Sequence, residues 1–478
     1  MGESLAWSPR DVLVVVHCAL AKHKMMCARG VQRRLALGRG RWHQPLCSLG
    51  PKQRHGHFAN GPKTVWPALA AFLSTSTSRL TSTAVFTWGV GTEGQLGHQK
   101  FQLTTQSMFE GQSYIQEEPR KLIKSKKFTQ LAIGERFTLG LSQTGEIYGW
   151  GAGFLGSESA SNEPVVLPLP NPAKKIVAIA AGSRHAAAID SDGQVLTWGF
   201  GGDWYKGGGQ LGHGSTEAVD HPKYVDWIRD YGVRINAVTC GNSHTIFLTD
   251  DGEVLTCGVG EYGRLGIGGS SNAELPASIE ALISETVVQV TAGNSHSIAL
   301  TKSGKMYTWG RNDAGQLGHA DSYIDIYSME EFPRLIESPF LEGHNIIQVA
   351  AGNRRCVAIS REGSLFIWGN RLQHFPTLVD RSSFDNLRVV SASCGGNQSN
   401  SCTAIVTEDG GLWTMGDASS KILGRKGAKG KQASPVRVGG PGAAGAGAST
   451  SIGLQDKRVL SIASGLGMHM AAIVEVPE

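Results

Sequence analysis

Acidic residues are absent from a long stretch near the start of this sequence. Between Val12 and Thr92 there is no Asp or Glu. Residues 1–83 contain twelve Lys and Arg against two acidic residues, whereas the remainder contains 33 Lys and Arg against 38 acidic residues. The basic charge is therefore concentrated at the N-terminus, and the rest of the chain is mildly acidic.

An N-terminus that is rich in arginine and serine but free of acids is typical of an organellar transit peptide. Ser74–Thr83 is a Ser/Thr cluster. The arginines of the acid-free stretch are Arg29, Arg33, Arg34, Arg39, Arg41, Arg54 and Arg79. We predict that residues 1–83 are a disordered leader and that 84–478 are the folded body. The favoured location is the mitochondrion, or the chloroplast if the source is photosynthetic.

Two alternatives for this leader remain open. Val12–Ala21 is an apolar run that ends in small residues, as a secretory signal does. Met1–Asp11, however, holds two acids and one arginine where such a signal is basic. The second alternative is the basic tail of a nuclear or cytosolic protein.

Long apolar runs, paired cysteines and catalytic motifs are also absent. No run approaches the roughly 20 apolar residues of a membrane span. The eight cysteines include no C-x-x-C pair, which argues against a zinc site and favours buried free thiols in a reducing compartment. No H-E-x-x-H motif or Ser-His-Asp order is present. Three G-x-G-x-x-G runs lack the following helix that a dinucleotide site needs, so no cofactor is predicted.

What the chain does contain is a repeated strand pattern, which is clearest in residues 287–318. Apolar residues alternate in three short runs, at Val288 and Val290, at Ile298 and Leu300, and from Met306 onward. Alternation with period two predicts β-strands, and the glycines between the runs predict turns. We therefore predict a three-stranded antiparallel unit.

Two short motifs of this unit recur along the chain. The end of the third strand is marked by Trp-Gly or a degenerate copy at positions 88, 150, 198, 257, 309, 368 and 415. The turn between the first two strands is Gly-x-x-His, or a degenerate form of it, and begins at Gly134, Gly182, Gly241, Gly293, Gly352, Gly395 and Gly465. Seven repeats of strands alone, each leaving sheet faces uncovered, predict a radial array.

The incomplete end repeats predict how the array closes. Val85–Gly97 supplies only a third strand, and Val459–Val476 supplies only the first two. We therefore predict an all-β, seven-bladed β-propeller, closed by an N-terminal strand that completes the C-terminal blade. Closure of the ring removes the large free sheet edges that favour aggregation.

The repeat resembles that of the regulator of chromosome condensation family, whose pattern runs G-x-x-H-[ST]-x-A-[IL]-[TS]-x-x-G-x-[VL]-[YF]-x-W-G-x-[NG]-x-x-G-Q-L-G. Residues 293–318 match nearly all of it, and the resemblance covers about 85–478. It implies the propeller fold. It also implies three kinds of function: guanine-nucleotide exchange on the GTPase Ran, chromatin binding, and, for mitochondrial members, a role in organellar RNA and ribosome biology.

Chain direction places every Gly-x-x-His turn and every Trp-Gly loop at the same end of the strands, on one face. Family members that exchange nucleotide on Ran place acidic residues in some of these turns, but here only Glu135 is acidic. Arginines instead suit phosphate or carboxylate partners. The predicted partner-binding residues are Arg136, Arg184, Asn242, Asn294, Arg354 and Arg355. The histidines His185, His244 and His296 are predicted to be structural.

Two insertions complete the sequence-based prediction. Trp204 and Tyr205 lie at the tip of a Gly-rich insertion in blade two and form a secondary candidate loop. A Gly/Ala-rich insertion at about 425–456 is predicted to be flexible, because its composition buries little apolar surface. The favoured function is a mitochondrial interaction module for RNA, a ribonucleoprotein or a small GTPase. The alternatives are an exchange factor for a Ran-like GTPase and a chromatin-binding propeller.

Overall fold

The computed structural model of the protein describes residues 82–98, 114–122, 126–153, 160–203, 207–319, 324–397, 401–419, 421–439, 454 and 457–476. These residues form seven four-stranded antiparallel sheets and one two-stranded hairpin. Seven buried apolar clusters lie between the sheets, one for each neighbouring pair. One of them joins blade seven to blade one through Val85, Ile473, Leu131 and Trp150, which closes the ring and confirms the predicted propeller.

The strands follow in chain order. Blade seven begins with β1 (Ser82–Val90) and β2 (Ile115–Lys121) and ends with β29 (Val459–Ser464) and β30 (His469–Val476). Blade one is formed by β3 (Phe128–Ile133), β4 (Phe137–Ser142), β5 (Ile147–Ala152) and β6 (Ala160–Val166), and blade two by β7 (Ile176–Ala181), β8 (His185–Asp190), β9 (Val195–Gly199) and β12 (Val219–Tyr224). Blade three is formed by β13 (Ile235–Cys240), β14 (His244–Thr249), β15 (Val254–Gly258) and β16 (Ala273–Ser278), and blade four by β17 (Val287–Ala292), β18 (His296–Thr301), β19 (Met306–Arg311) and β20 (Met329–Leu335). Blade five is formed by β21 (Ile346–Ala351), β22 (Arg355–Ser360), β23 (Leu365–Gly369) and β24 (Gln373–Leu378), and blade six by β25 (Val389–Gly396), β26 (Ser401–Thr407), β27 (Leu412–Asp417) and β28 (Lys431–Arg437). The two-stranded hairpin in blade two is β10 (Gly202–Asp203) and β11 (Gly207–Gly208).

Short helices occupy the links between strands in the described part of the chain. One α-helix, α1 (Asp226–Asp230), connects blades two and three. The 3₁₀ turns are Glu261–Gly263, Glu280–Leu282, Pro339–Leu341 and Arg381–Phe384. No helix among the described residues is long and apolar enough to cross a membrane. The five described cysteines are free and buried, as predicted, and burial raises the pKa of the Cys394 thiol to about 11.

The predicted closure by the N-terminal strand is confirmed. Strand β1 lies between β2 and β30, and it pairs with β30 without interruption from Ser82 opposite Val476 to Gly89 opposite His469. Its Trp88 is fully buried, and the indole Nε1 donates a hydrogen bond to the Ile422 carbonyl of blade six at 2.8 Å. The strand begins at Ser82, two residues before the predicted start of the folded body at 84.

Each blade contains a fourth strand that the three-stranded prediction missed. These outer strands are partly exposed and rich in polar residues, and each contains one proline. The prolines are Pro119, Pro164, Pro222, Pro276, Pro333, Pro376 and Pro435. Each proline lies where the register with the third strand shifts, and an irregular edge strand that contains proline discourages pairing with another chain.

Two other sequence-based predictions need correction. The alternation through Val288 and Val290 is broken by a bulge between Val287 and Gln289, so Val287 and Val290 are buried and Val288 is 47% exposed. The same irregularity occurs near the start of the first strand of every blade. The bounds predicted for the flexible insertion, 425–456, are also too wide, because they include β28, in which Pro435 is buried. Residues 440–453 lie outside the described residues.

The turn histidines connect each blade to the next, and this supports their predicted structural role. The His296 Nε2 lies 3.0 Å from the Cys356 Sγ, and the His185 Nε2 lies 2.9 Å from the Thr245 Oγ1. The Thr245 hydroxyl donates its hydrogen to the Gln210 carbonyl at 2.7 Å, so it must accept from the His185 Nε2–H. The imidazole is therefore the neutral Nε2–H tautomer.

This tautomer leaves the other ring nitrogen without a proton and without a partner. The Nδ1 atoms of His185, His244, His296 and His469 are buried and have no hydrogen-bond partner among the described residues. Burial lowers the pKa of His185 and of His296 to about 4 and that of His469 to about 3, and it lowers the pKa of His244 well below its usual value. At neutral pH all four rings are therefore uncharged.

Substitution of Trp88 tests whether β1 contributes as much to stability as a strand from the middle of the chain. Trp309 occupies the same position in blade four and is equally buried. We expect Trp88→Ala and Trp309→Ala each to lower the free energy of unfolding by about 3–5 kcal/mol, measured by chemical denaturation of the soluble protein. A Trp88→Ala protein of wild-type stability, beside an unstable Trp309→Ala protein, would contradict the closure.

The free energy of unfolding should also fall as the pH drops below the pKa of free histidine. The unfolded chain binds protons near the ordinary pKa of about 6.5, whereas the folded chain does not bind them until about pH 4. Stability is therefore complete above pH 6.5 and declines between 6.5 and 4. His185→Gln should reduce the slope between pH 6 and 5 by about 1 kcal/mol per pH unit. Denaturation midpoints with the same slope in both proteins would count against a neutral His185.

Candidate interaction face

The Gly-x-x-His turns and the loops that follow the Trp-Gly steps form one face of the propeller, called the turn face below. Neighbouring turns are joined by backbone hydrogen bonds. The Glu135 N–H donates to the Ser183 carbonyl at 3.0 Å, and the Asn294 N–H donates to the Gly352 carbonyl at 3.3 Å. The two residues inside each turn are therefore held at fixed positions around the ring.

The first glycine of the turn is required by close packing. A Cβ on Gly293 would lie 2.1 Å from the His296 Cε1 and 2.4 Å from the Gly352 carbonyl oxygen. Only glycine allows the imidazole to fold back under its own turn while the next blade contacts the backbone. The motif therefore fixes both the histidine and the two side chains that face outward.

Two of the predicted arginines are exposed on this face, in adjacent blades. Arg136 of blade one is 54% exposed and forms an ion pair of 2.8 Å with Glu93. Arg184 of blade two is exposed, and its guanidinium carbon lies 3.9 Å from the centre of the Phe200 ring. Glu135, the one acid in the turns, accepts a hydrogen bond from the Ser183 hydroxyl.

The other predicted residues divide into surface and core. Asn242 and Asn294 are half-buried turn residues. Arg354 lies on the turn face with 22% of its side chain exposed. Arg355 does not lie on the face, because it is 4% exposed, and its prediction as a partner-binding residue is wrong. It occupies the histidine position of blade five, which points into the core, where burial lowers its pKa.

Arg354 belongs to a charged cluster that the sequence did not reveal. Three arginines surround the carboxylate of Asp313, whose side chain is 1% exposed. The distances from Asp313 Oδ2 to the guanidinium Nη2 atoms are 3.0 Å for Arg311, 3.1 Å for Arg354 and 3.8 Å for Arg371. Arg311 and Arg371 follow Trp-Gly steps, so their place on the turn face could have been predicted. Their convergence on Asp313 could not.

A second layer supports this cluster from blade three. The Tyr262 ring lies 4.5 Å from the Arg311 guanidinium carbon and 5.6 Å from that of Arg264. Arg264 is 3% exposed and pairs with Glu261 at 3.1 Å. Burial lowers the pKa of Arg264 to about 10, so it remains charged at neutral pH.

A small, half-open pocket of about 10 Å³, with room for one carboxylate oxygen or one water, opens beside the cluster between the turns of blades four and five. Its lining residues are Asn294, Ser295, Arg311, Gln316, Asn353 and Arg354. All of them carry polar groups able to bind an anion or a hydrogen-bonding side chain. Within the described residues, no group of three or more His, Cys, Asp or Glu is arranged to hold a metal ion.

The secondary candidate loop is described only at its base. Strands β10 and β11 pair antiparallel, with Gly202 opposite Gly208. Trp204 and Tyr205 lie outside the described residues. Their role stays a prediction.

Comparisons with known proteins agree with this architecture. The RCC1-like domain model matches residues 15–340. Human E3 ubiquitin-protein ligase HERC2 is 35% identical over 277 residues, which are 55% of this chain and 6% of that protein. The ultraviolet-B receptor UVR8 of Arabidopsis thaliana is 30% identical over 371 residues, covering 74% of this chain and 78% of the receptor. The mitochondrial RCC1 domain-containing protein RUG3 of Arabidopsis thaliana is 31% identical over 252 residues, covering 49% and 53%.

Solved structures show the same fold at low sequence identity. Human WBSCR16 superposes with a TM-score of 0.67 at 23% identity, covering 82% of this chain and 98% of that one. Prp20p of Saccharomyces cerevisiae, described with its binding to Gsp1p and histones, has a TM-score of 0.67 at 19% identity and covers 84% and 93%. From its seven closed blades, its repeated turn motifs and the match to the family model over more than half of its length, we conclude that this chain belongs to the RCC1-like domain family.

Proposed function

We propose that this protein is a non-enzymatic interaction module of mitochondria, whose turn face binds a protein or ribonucleoprotein partner. A small GTPase and organellar RNA are the partner classes that the family resemblance suggests. The observation that carries the proposal is the charge of the turn face. Guanidinium groups reach it from blades one, two, four and five, although the body of the chain is mildly acidic.

Three of the acidic groups described on this face are bound by the chain itself. Glu93 pairs with Arg136, and Glu135 accepts a hydrogen bond from Ser183. Asp313 is almost fully buried among three arginines. The face therefore offers hydrogen-bond donors and positive charge to a partner. Carboxylates and phosphates are the groups that arginine binds best, because its planar fork matches their geometry.

A mitochondrial location is supported by the leader and by one relative. Residues 12–92 lack acidic residues and contain many arginines, as transit peptides do. The relative RUG3 is named as mitochondrial. Strand β1 starts at Ser82, so removal of the leader before that residue leaves the closure of the ring intact.

Nucleotide exchange on a Ran-like GTPase is the alternative, and chromatin binding is a further one. Both are favoured by the similarity of fold to Prp20p, which binds Gsp1p and histones. Exchange is weakened by the turns of this chain, where Glu135 is the only acid and is bound to Ser183. Nuclear import of the protein would restore both alternatives.

The first test is the location and the mature N-terminus of the tagged protein. We expect mitochondrial import, with cleavage between Arg54 and Thr83 and, because β1 must be retained, before Ser82. N-terminal sequencing of the imported form measures this directly. A protein that accumulates in the nucleus with Met1 intact would contradict the proposal.

The second test addresses the face itself. Arg136→Ala, Arg184→Ala and Arg354→Ala should together weaken binding to mitochondrial ribosomal particles in sedimentation assays, and a cooperative thermal transition will show that the triple variant is folded even if the loss of the Arg354–Asp313 pair lowers its melting temperature. If the contacts are to phosphate, each lost contact should reduce the slope of log affinity against log salt by about one unit.

Arg234→Ala is the matched control for this experiment. Arg234 is 60% exposed and pairs with Asp250 at 3.6 Å, but it lies at the opposite end of the strands. Its loss should leave binding unchanged. A triple variant that binds with wild-type affinity and salt dependence would remove the turn face from consideration.

A further inference from the structure

We infer that the pocket between blades four and five binds a carboxylate side chain from an acidic segment of a protein partner. This inference rests on the proposed function, which it narrows from a face to one pocket and one chemical group. The pocket and its charged cluster draw residues from blades three, four and five, so the site exists only when these blades are packed together.

The first step of the argument is the charge balance. Four guanidinium groups, from Arg264, Arg311, Arg354 and Arg371, face two carboxylates, from Glu261 and Asp313. The cluster therefore carries an excess of two positive charges. Each ion pair with Asp313 leaves other N–H groups of the same guanidinium free, because arginine has five donors and a carboxylate cannot use all of them.

The second step is the rigidity of these donors. Asp313 is 1% exposed, and its Oδ1 accepts a hydrogen bond from the Gln316 Nε2 at 3.1 Å. The Tyr262 ring supports the Arg311 guanidinium from blade three. Ion pairing thus holds Arg311 and Arg354 in place before any partner arrives, which lowers the entropic cost of binding, while the Asp313 Oδ2 has no hydrogen-bond partner among the described residues. The Nε of Arg311 is buried and has no hydrogen-bond partner among the described residues.

The third step is the choice of partner. Proteins that bind single-stranded nucleic acid stack bases on exposed aromatic rings. The rings of Phe200 and Tyr262 are covered by guanidinium groups, and Tyr327, in the loop between β19 and β20, is 79% exposed. A run of stacked nucleotides needs several open rings in a row. A narrow pocket lined by amides and guanidinium forks suits one carboxylate better than a run of stacked nucleotides. An acidic protein segment is therefore favoured over RNA.

The Asp313 cluster allows a test in which one substitution should raise the affinity for an acidic peptide and another should lower it. The Asp313 carboxylate competes with the partner's carboxylate for the same guanidinium groups. Asp313→Asn keeps the shape of the side chain but releases the arginines, so affinity for an acidic peptide should rise about tenfold. Arg371→Gln removes the most exposed of the three arginines, 62% exposed and 3.8 Å from Asp313, and should lower that affinity by about the same factor.

The experiment uses the full chain and a fluorescein-labelled peptide of eight glutamates, measured by fluorescence anisotropy at low salt. Arg234→Gln on the opposite face is the control and should bind like the wild type. Melting temperatures of all variants show whether each one is folded. A single-stranded oligonucleotide of eight uridines is measured in parallel.

Three results would overturn the inference. The first is a peptide affinity that neither Asp313→Asn nor Arg371→Gln alters in folded protein. The second is a loss of binding in both variants together with a lower melting temperature, since that pattern describes a purely structural cluster. The third is tight binding of the oligonucleotide with no binding of the peptide. Because purified protein is used, a failure of mitochondrial import would sink the proposed function without affecting this outcome.

Discussion

The fold depends on a polar contact between neighbouring blades that is buried in an otherwise apolar interface. A turn histidine donates to a hydroxyl or thiol of the next blade, and that group donates to a carbonyl of the histidine's own blade. Ser297 and the Trp309 indole both donate to the Arg264 carbonyl, at 3.0 Å each. Cys356 and the Trp368 indole converge in the same way on the Gln316 carbonyl, at 3.3 and 3.0 Å. A buried carbonyl without such donors would weaken the interface, so the Trp-Gly and Gly-x-x-His motifs belong to one network.

Departures from the motif are matched across the same interface. Where blade one carries Phe137 instead of histidine, the next blade presents Ala186 at the position that elsewhere holds a hydroxyl or thiol, and both residues are buried in one apolar cluster. Where blade five carries Arg355, the next blade presents the thiol of Cys402. The Phe137–Ala186 pair thus removes the polar groups from its interface, whereas the Arg355 Nη1 is buried without a hydrogen-bond partner among the described residues.

The sequence predicted the ring and its closure because these follow from strict geometric requirements. Gly293 has no room for a Cβ, and Trp309 fills a fully buried site, so both motifs recur wherever the geometry does. The outer strands were missed because they are exposed and polar, and Pro333 in β20 argues against an ordinary strand. The position of Arg136, Arg184 and Arg354 on the turn face follows from the direction of the chain, which decides which turn residues point outward, and their role in binding stays a prediction. The Asp313 cluster was not predictable, because Arg311 and Arg371 lie sixty residues apart and meet only after the blades close.

The pairing of β1 with β30 also sets the order in which the molecule can be completed. Ser82 contacts Val476 across 394 residues of sequence, so the first strand to be made must wait for the last. Until then blade seven is split, with β1 and β2 in the N-terminal part of the chain and β29 and β30 in the C-terminal part. The apolar surfaces of blades one and six that face blade seven therefore stay uncovered. Contacts of such long range form slowly, because the chain must lose much of its freedom before they are made. The open ring is thus the species most exposed to aggregation, and a chaperone that holds β1 would protect the protein at its most vulnerable stage.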